Sequence, residues 1–272
     1  MSSNLSPESI LDRFSLSREV GKGVLIPYLT AGYPDAGTSL ELMKALAQEG
    51  GDILELGIPF SDPLADGPTI QRSSFRALEG GMTVKGTLRL LERFRAVAPH
   101  PVVLFSYLNP ILRYGMVDFL RDAVNAGAQG LLLTDLPAGG DPGLEKRMVE
   151  GGLDLIRLVA PTTPPERVAE IAEGGAGFLY YISRTGVTGA RTDLRAELGR
   201  EVEAIRRRVA LPIAVGFGIS SPDQAALVAS VADGVVVGSA LIDALDEGGV
   251  SGASSLLASL REGMDASGLH RP

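Results

Sequence analysis

Two acidic residues, Glu55 and Asp66, stand close together in a stretch that reads LELGIPFSDPLADG. The apolar run from Ile53 to Leu56 is too short for a helix, and Gly57 and Pro59 close it. It therefore predicts a buried strand that ends in a loop, with Glu55 at the carboxyl end of that strand. Two carboxyl groups in different environments suit acid and base catalysis. We expect this stretch to carry proton transfer.

The orientation of Glu55 follows from the geometry of a strand. Side chains alternate between the two faces, so Glu55 shares a face with Ile53 while Leu54 and Leu56 share the other. The following loop contains several glycine and proline residues. Proline restricts the backbone and glycine permits tight turns, so this loop can fold Asp66 back over the strand end. A charged group on a buried face then calls for a functional reason.

The composition of the chain limits the classes of protein to which it can belong. A chain of 272 residues that is 45% hydrophobic and 21% charged can bury a large core. No apolar run approaches the roughly 18 residues of a membrane span, and the polar start MSSNLSPES lacks the regions of a signal peptide. The net charge of -8 argues against a nucleic-acid partner. We expect a cytoplasmic protein that binds neither membrane nor nucleic acid.

The residue types also narrow the chemistry. The absence of cysteine excludes disulfides, thiolate nucleophiles and Cys-ligated metals. His100 lies between two prolines and His270 lies in the tail, so neither histidine is placed as a base or a ligand. No metal site is therefore predicted.

Short apolar runs alternate with amphipathic segments along the whole chain. The runs are Val24 to Leu29, Ile53 to Leu56, Val102 to Phe105, Leu131 to Leu133, Leu155 to Val159, Phe178 to Ile182, Ile213 to Val215 and Val235 to Val237. This order predicts a single (β/α)₈ TIM barrel in the α/β class, one domain over residues 1–272. An open doubly wound sheet is the alternative, but no GxGxxG follows the first strand. Pro7 to Arg18 predicts an extra N-terminal helix that closes the barrel's bottom.

Barrel enzymes place their active sites at the carboxyl ends of the strands. Tyr28 ends the first strand, Tyr107 and Asn109 follow the third, and Asp135 follows the fourth. These side chains could line a pocket, but rim Tyr and Asn residues also tether loops. We expect Asp135 to hold loop structure.

Glycine-rich segments follow the last three strands. Residues 183–193, SRTGVTGARTD, predict a mobile lid over the site, with an ordinary loop as the alternative. Gly216 and Gly218 allow close backbone approach, and Gly238 and Ser239 stand just before a helix. Backbone N–H groups at such a helix start bind anions, and barrels commonly hold phosphate there.

A phosphate site opposite two carboxyl groups implies a phosphorylated small substrate and proton transfer. Schiff-base aldolases need a lysine at the rim. The lysines of this chain lie before the first strand or within predicted helices: Lys22, Lys44, Lys85 and Lys146. Because neither a Schiff-base lysine nor a metal site is predicted, we expect acid and base catalysis without a cofactor.

The stretch LELGIPFSDPLADGPTIQ resembles the signature of the tryptophan synthase alpha subunit family, as do PYLTAGYP, TDLP, SRTGVTGAR, VGFGISSP and VVVGSA. The resemblance implies a retro-aldol cleavage of indole-3-glycerol phosphate to indole and glyceraldehyde 3-phosphate. It assigns proton transfer to Glu55 and stabilisation of the indole N–H to Asp66. It assigns substrate binding to Tyr28, Tyr107, Thr188, Gly189, Gly218, Gly238 and Ser239, with Thr188 meeting Asp66 when the lid closes.

The resemblance also implies a partner. It implies docking on a beta subunit that carries pyridoxal phosphate, in a tetramer of two alpha and two beta subunits. It implies no cofactor in this chain itself. Pro59 and Asp62 would lie near the contact surface, although both residues also suit a simple turn. Two other functions stay open: a stand-alone indole-3-glycerol phosphate lyase, and a non-catalytic binding or regulatory barrel.

Overall fold

The computed structural model describes residues 9–183, 191–216 and 218–266. Eight parallel strands form a closed barrel in the order of the sequence, which confirms the predicted (β/α)₈ fold. The strands are β1 Val24–Thr30, β2 Leu54–Gly57, β3 Val102–Ser106, β4 Gly130–Leu133, β5 Asp154–Val159, β6 Leu179–Ile182, β7 Ile213–Gly216 and β8 Gly234–Val237. Every predicted strand boundary lies within one residue of the observed one.

Helices connect the strands on the outside of the barrel. They are α1 Ile10–Glu19, α2 Ala36–Gln48, α3 Pro68–Glu79, α4 Val84–Arg95, α5 Leu108–Tyr114, α6 Met116–Ala126, α7 Pro142–Glu150, α8 Pro165–Glu173, α9 Arg191–Arg206, α10 Pro222–Ala229 and α11 Ser239–Ala266. The last helix is kinked at Gly249, whose φ is 64°. Among the described helices none is both long and apolar enough to cross a membrane.

Two apolar layers hold the barrel together. The outer faces of the strands pack against the helices, and a separate cluster fills the barrel interior. Ile53 of the predicted β2 run belongs to this interior cluster, together with Val103 and Val236 from β3 and β8. Since Glu55 lies two residues beyond Ile53, the strand period turns it inward as well.

The N-terminal helix α1 closes one end of the interior, as predicted. Its buried Ile10 and Phe14 belong to the interior cluster. The helix begins after Ser9, whose hydroxyl accepts the N–H of Asp12 at 3.0 Å, so a capping box sets its start. The first two residues of the predicted helix lie outside the described residues. The prediction of one domain over residues 1–272 stays a prediction.

Candidate active site

Glu55 lies inside the barrel as the second of the four residues of β2, so the strand continues for two residues beyond Glu55, the residue predicted at its carboxyl end. Its Cα is in register with Tyr28 of β1 and Val103 of β3, and only 1% of the residue is exposed. Burial raises the pKa of Glu55 to about 8. Its Oε1 atom is buried and has no hydrogen-bond partner within the described part of the chain. A carboxyl group in this state can both give and take a proton near neutral pH.

Asp66 reaches the same site from the loop between β2 and α3. The N–H of Asp66 donates to the carbonyl of Pro63 at 3.0 Å, and the side chain of Gln71 donates to the carbonyl of Asp66 at 3.0 Å. These bonds turn the loop back over the strand end, as the pattern of glycine and proline predicts. Burial raises the pKa of Asp66 to about 6, and a hydrogen bond from Tyr107 opposes that rise.

Tyr107 supports the Asp66 loop from β3. Its hydroxyl oxygen accepts the N–H of Ala65 at 2.9 Å, and its ring lies 5.2 Å from the ring of Phe60 between centroids. The ring does not line the central cavity, so the structure places Tyr107 behind Asp66. Its position suits a residue that holds the loop.

A cavity of about 320 Å³ opens between the two carboxyl groups and the ends of β6 to β8. Six of the residues predicted for the site line it: Tyr28, Glu55, Asp66, Gly218, Gly238 and Ser239. Thr188 and Gly189 lie outside the described residues, as does most of the predicted lid. Within the described ranges, no group of three or more His, Cys, Asp or Glu residues could hold a metal ion.

The start of α11, at the wall of the cavity, suits an anion. Ser239 begins α11, and the first turn of this helix carries no acidic side chain that would oppose an anion. Gly218 has a φ of +64°, a backbone conformation that side chains disfavour. Both residues line the cavity.

The large apolar residues of the lining were not assigned to the site by the sequence analysis. They are Ile70, Phe105, Tyr180, Ile182, Ile219 and Val236. Strand period could have identified some of them, because Phe105 lies two residues beyond Val103, and Tyr180 two beyond Phe178, which both face the interior. Ile70 and Ile219 enter from α3 and from the loop after β7, where no such period applies.

Two tyrosines on the inner wall each cover a glycine of the next strand. A Cβ atom at Gly57 would collide with the hydroxyl of Tyr28, and one at Gly216 would collide with the hydroxyl of Tyr180. In both cases the glycine lies two residues beyond the tyrosine's register partner. Gly216 thus makes room for an aromatic side chain within the wall itself.

Asp135 and Asn109, the two other rim residues considered from the sequence, do not line the central cavity. The Oδ1 atom of Asp135 accepts the N–H of Leu108 at 2.8 Å, so Asp135 holds loop structure as expected. Asn109 lies outside the central cavity and lines a second groove.

That groove, of about 920 Å³, runs between the β2 loop and the helices α4 and α5. Pro59 and Asp62, the residues predicted for a partner contact, both line it. Pro59 is buried and Asp62 is exposed. Leu64 in the same loop is 90% exposed.

The family model of the tryptophan synthase alpha chain matches residues 14–265. The chain belongs to the tryptophan synthase alpha chain family. The resemblance seen in the sequence motifs is thereby confirmed, and the chain is a member of a family of enzyme subunits. The match spans all eight strands, and it includes the stretch that carries Glu55 and Asp66.

Individual relatives agree with this assignment. The tryptophan synthase alpha chain of Citrifermentans bemidjiense is 48% identical over 233 residues, 86% of this chain and 87% of the relative. That of Synechococcus elongatus is 45% identical over 258 residues, 94% of this chain and 97% of the relative.

Solved structures show the same fold. The alpha subunit of tryptophan synthase from Legionella pneumophila superposes with a TM-score of 0.87 at 39% identity, covering 94% of this chain and 98% of that one. A chain of tryptophan synthase from M. tuberculosis in an aminoacrylate-bound form gives a TM-score of 0.85 at 38% identity, covering 94% and 100%.

Proposed function

We propose that this chain cleaves indole-3-glycerol phosphate to indole and glyceraldehyde 3-phosphate, as the alpha subunit of a tryptophan synthase. The observation that carries the proposal is the buried Glu55, whose Oε1 has no described hydrogen-bond partner in a cavity that Asp66 also lines. Two carboxyl groups and a helix N-terminus line the same cavity. This combination matches a substrate that carries both an indole ring and a phosphate.

Glu55 performs the proton transfers of the reaction. Protonation of indole C3 places positive charge on the ring, which then accepts the electron pair of the breaking carbon–carbon bond. The same step forms the aldehyde when the neighbouring glycerol hydroxyl gives up its proton. The net movement is one proton from the hydroxyl to C3. A carboxyl group with a pKa of about 8 suits both directions of transfer.

Asp66 stabilises the charge that develops on the ring. When C3 is protonated, the indole N–H becomes strongly acidic and pairs well with a carboxylate. The pKa of about 6 leaves Asp66 ionised at neutral pH, whereas that of Glu55 leaves it largely protonated. Two carboxyl groups whose environments separate their pKa values can serve different roles.

The phosphate binds at the start of α11 and at the loop after β7. Gly218, Gly238 and the first turn of α11 at Ser239 supply backbone N–H groups without a lysine or arginine among the cavity-lining residues described. The family resemblance adds Gly189 to this site and brings Thr188 to Asp66. Backbone N–H groups are a suitable anion site for a chain with a net charge of -8.

A beta subunit that carries pyridoxal phosphate is the proposed partner, in a cytoplasmic complex of two alpha and two beta subunits. The groove beside Pro59 and Asp62 supports this proposal, because it adjoins the loop that carries Asp66. A partner seated there would contact the same loop that forms one wall of the active site. Ordering of that loop by the partner would raise the rate of cleavage.

The test is indole release from indole-3-glycerol phosphate by the purified chain, alone and with a beta subunit added. We expect slow release that rises by about tenfold or more with the partner, equivalent to a modest change in the activation barrier. Fast release without the partner would instead indicate a stand-alone lyase. No release in either case, with binding retained, would favour a non-catalytic binding barrel.

A further inference from the structure

A chain of three buried hydroxyl groups runs from the wall of the cavity into α3. The hydroxyl of Tyr28 lies 3.3 Å from Oγ1 of Thr30, and Thr30 Oγ1 lies 2.6 Å from Oγ of Ser73. Ser73 Oγ in turn donates to the carbonyl of Ile70 at 2.9 Å. Tyr28, Thr30 and Ser73 are 6%, 1% and 0% exposed. Water therefore has little access to any of these bonds.

The Ile70 carbonyl, at the end of this row of hydroxyl groups, determines the direction of each of the three hydrogen bonds. A carbonyl can only accept, and each hydroxyl has one hydrogen to donate. Ser73 gives its hydrogen to Ile70, so the short contact between Ser73 and Thr30 needs the hydrogen of Thr30. Tyr28 must then donate to Thr30.

The opposite arrangement leaves two oxygen atoms facing each other. If Ser73 donated to Thr30, no hydrogen would lie between Ser73 Oγ and the Ile70 carbonyl at 2.9 Å. Both atoms are buried, and a buried acceptor facing another acceptor is costly. In the first arrangement, each of the three hydroxyl groups donates its hydrogen to an acceptor.

We propose that this hydroxyl chain makes the Tyr28 oxygen a hydrogen-bond acceptor toward the cavity, where it receives a donor group of the substrate. Thr30 and Ser73 act through Tyr28 and are positioning residues. Tyr28 lines the cavity, and its hydroxyl lies over Gly57, two residues beyond Glu55 on the inner face of β2. An acceptor at this position favours ligands that carry a donor near the carboxyl groups.

This inference rests on the proposed function, which supplies two candidate donors. They are the two hydroxyl groups of the glycerol chain, because the single hydrogen of the indole N–H already pairs with Asp66. An analogue without the glycerol hydroxyls removes these donors, whereas an analogue with a methylated indole nitrogen keeps them.

The first experiment measures substrate dissociation constants and cleavage rates for Tyr28→Phe, Thr30→Val and the double variant. Each single variant should weaken binding by about 3- to 10-fold, the usual effect of losing one hydrogen bond. Thr30→Val should add nothing in the Tyr28→Phe background, because Thr30 acts only through the Tyr28 hydroxyl. A purely structural role for Thr30 would persist in the double variant and would overturn the proposal.

Two further variants serve as controls. Thr30→Ser keeps the hydroxyl and should restore binding to within about twofold of the original chain. Thr87→Val removes another buried threonine hydroxyl, which donates to the carbonyl of Thr83 just before α4, and should leave binding unchanged. Thermal unfolding of each variant separates loss of folding from loss of the acceptor.

The analogues then identify the donor. The effect of Tyr28→Phe should vanish for the analogue without the glycerol hydroxyls and remain for the analogue with a methylated indole nitrogen. If it remains for both, Tyr28 does not receive a substrate donor, and the proposal is wrong.

A measurement without substrate separates this inference from the proposed function. The tyrosine Fermi doublet in difference Raman spectra, taken against Tyr28→Phe, reports whether a phenol donates its hydrogen. We expect a donating phenol in the original chain and loss of that state in Thr30→Val. Unchanged spectra would contradict the hydroxyl chain, whereas absence of indole release alone would contradict only the proposed function.

Discussion

The hydroxyl of Tyr107 joins two parts of the Asp66 loop. It donates to the Asp66 carboxyl group and accepts the N–H of Ala65 at 2.9 Å. Because Tyr107 follows β3 while Asp66 follows β2, this contact ties the loop to the neighbouring strand. The position of Asp66 relative to Glu55 therefore depends on a third residue that lies outside the cavity.

Replacement of Glu55 by glutamine should abolish cleavage and leave substrate binding measurable. An amide of nearly the same shape cannot transfer a proton, so we expect a rate loss of about 10² to 10⁴-fold or more. Indole release and ligand titration measure the two effects separately. Glu41→Gln, on the exposed face of α2, is the matched control. Near-normal turnover of Glu55→Gln would show that Glu55 is not the proton-transfer group.

The same substitution should change how stability depends on pH. Burial raises the pKa of Glu55 from 4.5 to about 8, so between these values the unfolded state loses its proton while the folded state keeps it. The folded state thus loses stability as pH rises through this window, at up to about 1.4 kcal/mol per pH unit. Denaturant unfolding at several pH values should show this decline for the original chain relative to Glu55→Gln, levelling off above about pH 8. Parallel curves would contradict it.

Replacement of Tyr107 by phenylalanine should shift the fall of kcat/KM at acid pH, the acid limb of its pH profile, to higher pH. The Tyr107 hydroxyl favours the ionised form of Asp66, whose pKa is about 6. Without that bond the pKa of Asp66 rises, and the ionised form needed at the indole N–H is lost at a higher pH. The dependence of kcat/KM on pH measures the shift. Tyr114→Phe is the control, because the Tyr114 hydroxyl donates to Asp122 at 2.7 Å, outside the cavity.

Asp66→Asn should remove that acid limb and slow cleavage severely. The amide cannot balance positive charge on the indole ring, so we expect a loss of about 10²-fold or more. Circular dichroism and thermal unfolding should match those of the original chain. Rates close to the original would leave Asp66 with a role in loop structure alone.

An added methyl group at Gly57 should destabilise the barrel. It would collide with the Tyr28 ring and hydroxyl, and overpacking of this kind costs about 1–3 kcal/mol. Gly67→Ala is the control, because a Cβ atom there meets no atom within 4 Å and the φ is -73°. Denaturant unfolding of Gly57→Ala, alone and combined with Tyr28→Leu, tests the cause. Additive effects of the two substitutions would rule out the collision.

Asp62→Ala should weaken stimulation by a beta subunit and leave the rate of the chain alone unchanged. Asp62 is exposed and lines the groove beside the active-site loop. Titration of the beta subunit against indole release measures the effect as a higher midpoint. Glu49→Ala, an exposed residue just after α2, is the control. An unchanged midpoint would leave Asp62 as a turn residue.

Much of the scaffold could be predicted because its signals are local. Buried parallel strands are continuous apolar runs, so all eight strand positions follow from the sequence. The alternation of side chains along a strand is enough to predict that Glu55 faces the interior, as Ile53 does. Glycine before a helix likewise predicts the proposed anion site at Gly238 and Ser239. These features depend on residues that are neighbours in the chain.

Tertiary structure decided the features that join distant segments. The contact of Tyr107 with Asp66 and the bond of Thr30 to Ser73 at 2.6 Å each connect separate elements. Ile70 and Ile219 complete the cavity from outside the strands, and no pattern in their own segments indicates it. Such contacts depend on how helices and loops pack over the closed barrel, and so does the burial that separates the two carboxyl pKa values. Local propensity and period carry no information about that packing, because it is determined by the whole chain at once.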